Sequence, residues 1–429
     1  MTDTSKSADA VSPKILVAVI LGNTIAWADF ALYATFSPIL SKVFFPFVSY
    51  QSSLLLYFAI FAVGFVFRPL GAVISGAFAD RHGRKNTLLV TVIASSICTA
   101  AIGLMPGYDT LGIGSIVLLL IIRIGQTMAI SAEPTNSTAL LIELNPSVRR
   151  RGLISSSVMS GVFLGFVLGI LSFFLITTRL SETAIENWGW RIPFLSFLAI
   201  GGFVAWLLYS IEESPVFLKH KQANNLVENP LKTSFTTQLG LLFIAFGYGI
   251  MMAMGNYFML GFMPSFLTHE VKLSLEGATF AILISLLVAT VLIPVCGHIS
   301  DKVGRRPVMG VGAGLFILTS YPIFYLINTG ELFNVVVATI VYGIALAPTA
   351  AILTTAIAEM FPFATRCTGG AIGYNAALTI AGGLTPIICQ AIYGWTQDIF
   401  SLDYYITSLA LVHLLFVIFS KETKDNRVD

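Results

Sequence analysis

Asp29, Arg123 and Glu133 are ionisable residues set deep inside long apolar stretches. Where such a stretch crosses a bilayer, a charge at its centre costs roughly 2.5–3.5 kcal/mol on insertion scales, so a residue kept there is a functional candidate by default. A carboxyl group in a low-dielectric setting holds a proton more readily than in water. Asp29 and Glu133 are therefore the candidates for binding and releasing a proton. Arg123 keeps its charge, and its guanidinium fork matches a carboxylate, which makes it the candidate anchor for an acidic group on a substrate.

Arg123, Gln126, Ile130, Glu133 and Ser137 follow i, i+3, i+7, i+10, i+14 spacing and share one helix face. At a 1.5 Å rise per residue, Arg123 and Glu133 lie about 15 Å apart along the axis and cannot pair with each other. Gln126, and Tyr33 one turn beyond Asp29, join Arg123 as substrate-binding candidates. Pro134 removes one backbone donor beside Glu133 and can bend the helix there. Each acid also has a competing role: an ion pair with Arg68 or another basic group for Glu133, a helix-packing hydrogen bond for Asp29. Arg68 itself is expected to be structural, pairing or snorkelling. The second half of the chain offers neutral groups, Asn256, Tyr257, Tyr374 and Asn375, with Pro348 and Thr349; helix packing is the competing role for each. His298 and His413 are expected at interfacial helix ends, not as relays.

A different chemistry is written twice. GAFADRHGRKN (residues 76–86) and GHISDKVGRRP (297–307) share the phrase Gly-x-x-x-Asp-basic-x-Gly-Arg-basic. Gly76 and Gly297 admit close approach of a neighbour. Asp80 and Asp301 can accept hydrogen bonds from a helix N-terminus, where the macrodipole favours an anion. A second echo follows: Glu143-Leu-Asn-Pro146 with Arg149 to Gly152, and Glu359-Met-Phe-Pro362 with Arg366 to Gly369. The basic members, Arg81, Arg84, Arg151, Arg305 and Arg366, can bridge to Glu143 and Glu359, with Gly83 and Gly304 inside the phrase. The offsets, 221 residues for Asp80 to Asp301 and 216 for Glu143 to Glu359, argue for an internal duplication. The competing reading of these charges is that they are solvated and only set topology.

The elements that must carry these residues follow from composition. Of 429 residues, 56% are hydrophobic and 11% charged, against a charged share of about 25% in soluble domains. Apolar stretches of 18 or more residues, each able to cross a core roughly 30 Å thick as a helix, recur along the whole chain. The pattern predicts an all-α integral membrane protein with twelve transmembrane helices near 15–39, 53–75, 87–105, 113–142, 153–177, 191–210, 238–267, 277–298, 308–327, 333–358, 368–392 and 403–420. The longest polar interval, 211–237, divides two six-helix bundles, 15–210 and 238–420, with tails at 1–14 and 421–429. The first run is too long for a signal peptide and is expected to remain as a helix.

Lysines and arginines in alternate connections fix the expected orientation. With the N-terminus inside, 18 of the 24 basic residues, from Lys6 through Arg149 to Arg427, fall on the cytoplasmic side; Lys42, Arg179, Arg191 and Lys272 fall outside. Both termini are thus expected in the cytoplasm, and the repeated phrase in the cytoplasmic connections after spans two and eight.

Paired phrases of this kind in a duplicated twelve-span chain resemble the major facilitator superfamily, over nearly all of the sequence. Within it, Gly22-Asn23-x-x-x-Trp27-x-Asp29-Phe30, Arg68-Pro69-Leu70-Gly71, Arg123-x-x-Gln126 with Glu133, Gly189 to Phe194, and Glu213-Ser214-Pro215-Val216-Phe217 resemble the metabolite:proton symporter branch, which includes proline/betaine, α-ketoglutarate, citrate and shikimate uptake systems. The resemblance implies that the charged clusters form a cytoplasmic latch, closed when the carrier faces outward and broken when it opens inward. Two departures bear on coupling: Ala26 stands where many relatives have Glu, and Ser131-Ala132-Glu133-Pro134 where many read Gly-Gly-Glu-Tyr. The sequence stops about nine residues past the last run, so no extended C-terminal coiled coil of the osmosensing kind is expected.

Other function classes fit poorly. No Gly-x-x-x-x-Gly-Lys-[Ser/Thr] loop for ATP occurs. Cys98, Cys296, Cys367 and Cys389 lack metal-ligand spacing and read as small core residues. His82, His220, His269, His298 and His413 are scattered. The expectation is a transporter and not an enzyme, with no cofactor, metal or nucleic acid, working as a monomer in the inner membrane. It takes up a small zwitterionic or carboxylate metabolite with protons by alternating access. An exchanger or exporter of the same fold is the alternative, and a non-transporting receptor a remoter one.

Overall fold

The computed structural model describes residues 12–144 and 150–426. Lys6, Pro146, Arg149 and Arg427, invoked above, lie outside the described residues. Twelve helices among them are long and apolar enough to cross a membrane: Pro13–Thr35, Tyr50–His82, Arg84–Leu104, Ile113–Leu144, Arg151–Arg179, Ile185–Tyr209, Leu239–His269, Leu275–Val303, Arg305–Asn328, Leu332–Met360, Phe363–Thr396 and Ser401–Phe419. They are numbered here as spans one to twelve.

These segments are helical because a backbone in lipid must satisfy its own polar groups. Their starts are marked where chemistry allows: the Ser49 and Ser274 side chains accept from the backbone N–H groups of Ser52 and Gly277. The interval after span six is not bare coil, since it holds two short helices, Pro215–Gln222 and Pro230–Thr237, each opened by proline.

The two halves pack alike. In the first, span one lies against five and six, two against four, and three against six; in the second, seven lies against eleven and twelve, eight against ten, and nine against twelve. Small residues permit these approaches: a Cβ added at Gly165 of span five would stand 2.5 Å from the Thr24 carbonyl of span one. Between halves, span two meets eleven and span eight meets five, with ten against four and five. The inter-half seam is pseudo-symmetric and carries the site.

Several expectations need correction. The repeated phrase is not a loop: Gly76 to His82 complete span two and Gly297 to Val303 complete span eight, so each connection shrinks to one residue, Gly83 or Gly304, both at φ 107°. Only glycine takes that backbone freely. Span one stops at Thr35 and a separate helix, Ser37–Phe44, follows. Span four breaks at Ser131-Ala132, so that Glu133 opens a second helical segment with Pro134 behind it. Spans seven and eleven contain π-helical turns at Phe258–Phe262 and Leu378–Gly382, a feature often found at functional sites. His413 is not interfacial: it is fully buried in span twelve, with Nδ1 3.0 Å from the Gly247 carbonyl of span seven.

Candidate functional site

Three groups of polar residues are buried along the seam and the bundle interior. The first joins Asp29 and Arg123, whose ion pair measures 3.3 Å, with both side chains at most 4% exposed. The Thr99 hydroxyl donates to Asp29 Oδ1 at 3.0 Å, and Gln126 Nε2 donates to Thr99 at 2.7 Å. Arg123 Nη1 also donates to Gln126 Oε1, so spans one, three and four are tied into one network. The guanidinium lies 3.9 Å from the ring centroid of Tyr33, which stacks on Tyr57 at 4.3 Å. Arg123, expected to be an open anchor, is thus held by protein groups on its charged edge and its face.

Glu133 stands elsewhere. It is 1% exposed, its Oε2 has no hydrogen-bond partner among the described residues, and a Cβ at Gly22 would come within 3.3 Å of Oε1. Among the described residues no salt bridge joins it to Arg68, so the structural pair weighed for it is not formed. A buried carboxyl group without a cation or donor is far cheaper neutral than charged. One turn on, Ser137 accepts from Asn23 Nδ2 at 2.8 Å.

The second group crosses the seam. A cavity of about 10 Å³, near the space one water needs, is lined by Trp27, Phe30, Phe166, Asn256, Tyr257 and Leu260. Against its Trp27 wall lies Arg68, whose guanidinium carbon is 5.1 Å from the indole centroid. Arg68 does not snorkel: it is fully buried, and its Nε donates to Asn375 Oδ1 at 3.1 Å. Asn375 also donates to the Ser131 and Ala371 carbonyls, so it is consumed in packing. Asn256 and Tyr257, by contrast, face the cavity, while the Tyr374 hydroxyl is buried without a partner among the described residues.

The third group closes one end of the seam. Asp80 accepts from the backbone N–H groups of Cys367 (3.2 Å) and Thr368 (2.9 Å) at the start of span eleven, and from the Thr368 hydroxyl at 2.7 Å. Asp301 accepts from Gly152 (2.7 Å) and Leu153 (2.9 Å) at the start of span five. Each half thus caps a helix of the other. Gly76 and Gly297 allow it: a Cβ at Gly76 would lie 2.8 Å from Thr368 Cα, and one at Gly297 2.5 Å from the Gly152 carbonyl.

Buried arginines complete the closure. Arg84 pairs with Glu143 at 3.1 Å, and Arg366 reaches the same Glu143 across the seam at 2.8 Å. Arg305 pairs with Asp301 and Glu359. Arg151 donates to the Asn426 carbonyl, whereas Arg81 donates to the Glu228 carbonyl of the interval after span six.

Sequence reasoning missed a further pair of carboxylates. Glu213 accepts from the backbone of Arg84 and Lys85, and Glu422 from that of Arg305 and Arg306, so both single-residue connections are capped by an acid that follows a span. Ser214 then donates to Glu143 and Thr423 to Glu359. Burial pushes the Glu422 carboxyl up, but the N–H groups of Arg305, Lys424, Arg306 and Thr423 outweigh it and hold it below its ordinary value. The signal was a third echo, Glu-[Ser/Thr] repeated 209 residues apart. Of the rings that wall the cavity, Tyr257 was a sequence candidate, but Trp27, Phe30 and Phe166, from spans one and five, were not named as site residues.

A duplicated twelve-helix bundle with buried polar groups in its interior and across the seam between its halves, and a small cavity on that seam, has the form of a secondary transporter. The comparisons agree. Residues 14–233 match the family described as sugar (and other) transporter, and 244–428 match the major facilitator superfamily. The chain is 32% identical over 421 residues to the proline/betaine transporter of Escherichia coli, spanning 96% of this chain and 83% of that one. It is 31% identical over 420 residues to the glycine betaine/proline/ectoine/pipecolic acid transporter OusA of Dickeya dadantii, with the same coverage. Among solved structures, the proton:xylose symporter XylE bound to 6-bromo-6-deoxy-D-glucose superposes with a TM-score of 0.74 at 19% identity, covering 97% of each chain. The chain belongs to the major facilitator superfamily, and it is a multi-pass membrane transporter.

Proposed function

We propose that the protein accumulates a small zwitterion of the proline or betaine class across the inner membrane, driven by the proton gradient. The bundles 15–210 and 238–420 rock about the central cavity, the interval 211–237 tethers them, and both termini are cytoplasmic. The observation that carries this reading is the reciprocal capping of spans eleven and five by Asp80 and Asp301. A contact built from each half onto the other breaks only when the halves part, which is what alternating access requires. Gly76, Gly83, Gly297 and Gly304, with Asp80, Asp301, Arg84, Arg305, Arg366, Glu143 and Glu359, form the cytoplasmic latch, closed in the conformer described; Arg81 and Arg151 fasten the flanking segments to it.

Glu133 is the proton carrier, because it is buried without a counter-charge. Asp29 and Arg123 compensate each other in this conformer, so Asp29 becomes available for a proton only when that pair opens. The substrate class comes from the curated relatives, and proton coupling fits a fold shared with a proton:xylose symporter.

The test is uptake of labelled glycine betaine and proline by the purified protein in liposomes with an imposed inward proton gradient. Accumulation that collapses with a protonophore is the expected result. Glu133→Gln should abolish accumulation while leaving equilibrium exchange of labelled for unlabelled substrate within about threefold of wild type. Accumulation by Glu133→Gln at the wild-type level would remove Glu133 from the coupling step, and no uptake of either solute by wild type would remove the substrate class.

A further inference from the structure

We infer that Arg68 and the ring wall of the central cavity form the substrate site, with Arg68 taking the carboxylate of a zwitterion and the rings its substituted ammonium group. The inference rests on the proposed function and goes beyond it, since neither the sequence pattern nor the relatives assign the two ends of the ligand to residues.

Arg68 is a buried cation on the seam with two donors of one guanidinium to spare. It is fully buried, its Nε is satisfied by Asn375, and Nη1 and Nη2 have no hydrogen-bond partner among the described residues. Two adjacent N–H groups of one guanidinium are the arrangement that binds a carboxylate through both oxygens. Leaving them unmet in a buried setting is costly, so a ligand that meets them gains what the protein itself forgoes. Arg123 differs: only its Nε is buried and unpartnered among the described residues, while its Nη1 is committed to Asp29 and Gln126 and its guanidinium lies over Tyr33.

Next to Arg68, sharing Trp27 with it, stands a wall suited to the other end of such a ligand. Trp27, Phe30, Phe166 and Tyr257 line the cavity, with Trp27 and Phe166 5.5 Å apart edge to face, and Phe30 and Tyr257 5.9 Å apart. A methylated or ring-closed ammonium group sheds water easily and is attracted to ring faces. A primary ammonium keeps its hydration and would find few acceptors here. The acceptors present are Asn256 Oδ1 and the Tyr257 oxygen, both buried and unpartnered among the described residues. They suit the one or two N–H groups of a secondary amine. The cavity of about 10 Å³ admits such a molecule only when the rings part, so loading is coupled to relative movement of spans one, five and seven.

The site selects on two features that synthetic analogues separate. Glycine betaine carries both, choline lacks the carboxylate, and 3,3-dimethylbutanoate keeps betaine's shape and carboxylate with carbon in place of the charged nitrogen. Binding to the purified full chain in detergent is measured by calorimetry for all three, with wild type, Arg68→Gln and Trp27→Leu. Wild type should bind betaine at least about tenfold more tightly than either analogue. Arg68→Gln should lose about tenfold or more on betaine and nothing on choline. Trp27→Leu should lose about tenfold on betaine and little on 3,3-dimethylbutanoate.

Should Arg68→Gln fail to fold, Trp27→Phe and Tyr257→Phe, which keep an aromatic ring at each position but remove the indole and the hydroxyl, carry the test through betaine and proline affinities; unchanged affinity for both solutes in both variants counts against the site. Betaine binding unchanged in Arg68→Gln and Trp27→Leu overturns the site while leaving the proposed transport of betaine in place. Wild type that binds no zwitterion overturns both.

Discussion

Asp29 and Arg123 show how a buried pair makes each partner dependent on the other. Removing one member of such a pair leaves a charge in a low-dielectric site and costs about 3–5 kcal/mol, whereas removing both costs much less. Asp29→Asn and Arg123→Gln should each lower the melting temperature sharply, and the double variant should recover more than half of the loss; thermal melts of the four proteins in one detergent give the coupling. Additive losses would mean that the 3.3 Å contact carries little energy. Asp29, Arg123, Gln126 and Glu133 were legible in the sequence as polar residues in apolar runs, and the spacing of Arg123 and Glu133 correctly separated them. Their partners were not legible, since Thr99 meets Asp29 from another helix. Arg68 was expected to pair or snorkel; its contact with Trp27 joins spans one and two, which no single-helix periodicity can reveal.

Elements were read well at their centres and poorly at their ends. The twelve apolar runs mark where helices cross lipid, but hydropathy falls at the lipid boundary while the helix continues. Nothing in Ala-Phe-Ala-Asp-Arg-His stops a helix, and span two runs on until Gly83 takes its positive φ. This moves Asp80 and Asp301 from flexible loops onto rigid helix ends, which is what lets them aim at the N-termini of spans eleven and five. The caps on the single-residue connections belong to this scale as well. Glu422 has its carboxyl held below the ordinary value of 4.5, so its charged form is favoured by folding. That contribution is present above about pH 4.5 and disappears as pH falls through the lower folded value. Glu422→Gln should therefore lower the melting temperature at pH 7, and the gap from wild type should narrow on acidification below pH 4.5. A gap that stays constant down to pH 3 would mean that the carboxylate charge is not what holds the connection.

At the scale of the molecule, the duplication was readable from two echoes at nearly one offset, but the sequence did not say that the copies clasp each other. Asp80 on span two holds eleven, and Asp301 on span eight holds five; these are two contacts of one closed end. If the halves move as rigid bodies, weakening either contact opens both. Each aspartate accepts charge-assisted hydrogen bonds worth about 1.5–3 kcal/mol apiece, so Asp80→Asn or Asp301→Asn should raise the population open at this end about tenfold or more. Ala72, fully buried with Ala371, and Ser156, fully buried beside Gly297, report the two sides separately. In a background lacking Cys98, Cys296, Cys367 and Cys389, Ala72→Cys and Ser156→Cys should be nearly inert to a water-soluble thiol reagent while the latch is intact. With Asp80→Asn, both should react at similarly raised rates, although Ser156 lies at the untouched contact; with Asp301→Asn the result should mirror this. Labelling confined to the side of the substitution would mean that spans loosen locally, and the two-body motion would have to give way to helix-by-helix gating. Equal labelling at both sites would make the pseudo-symmetric clasp a single device, and would explain why a chain so apolar keeps a duplicated set of buried charges at this end.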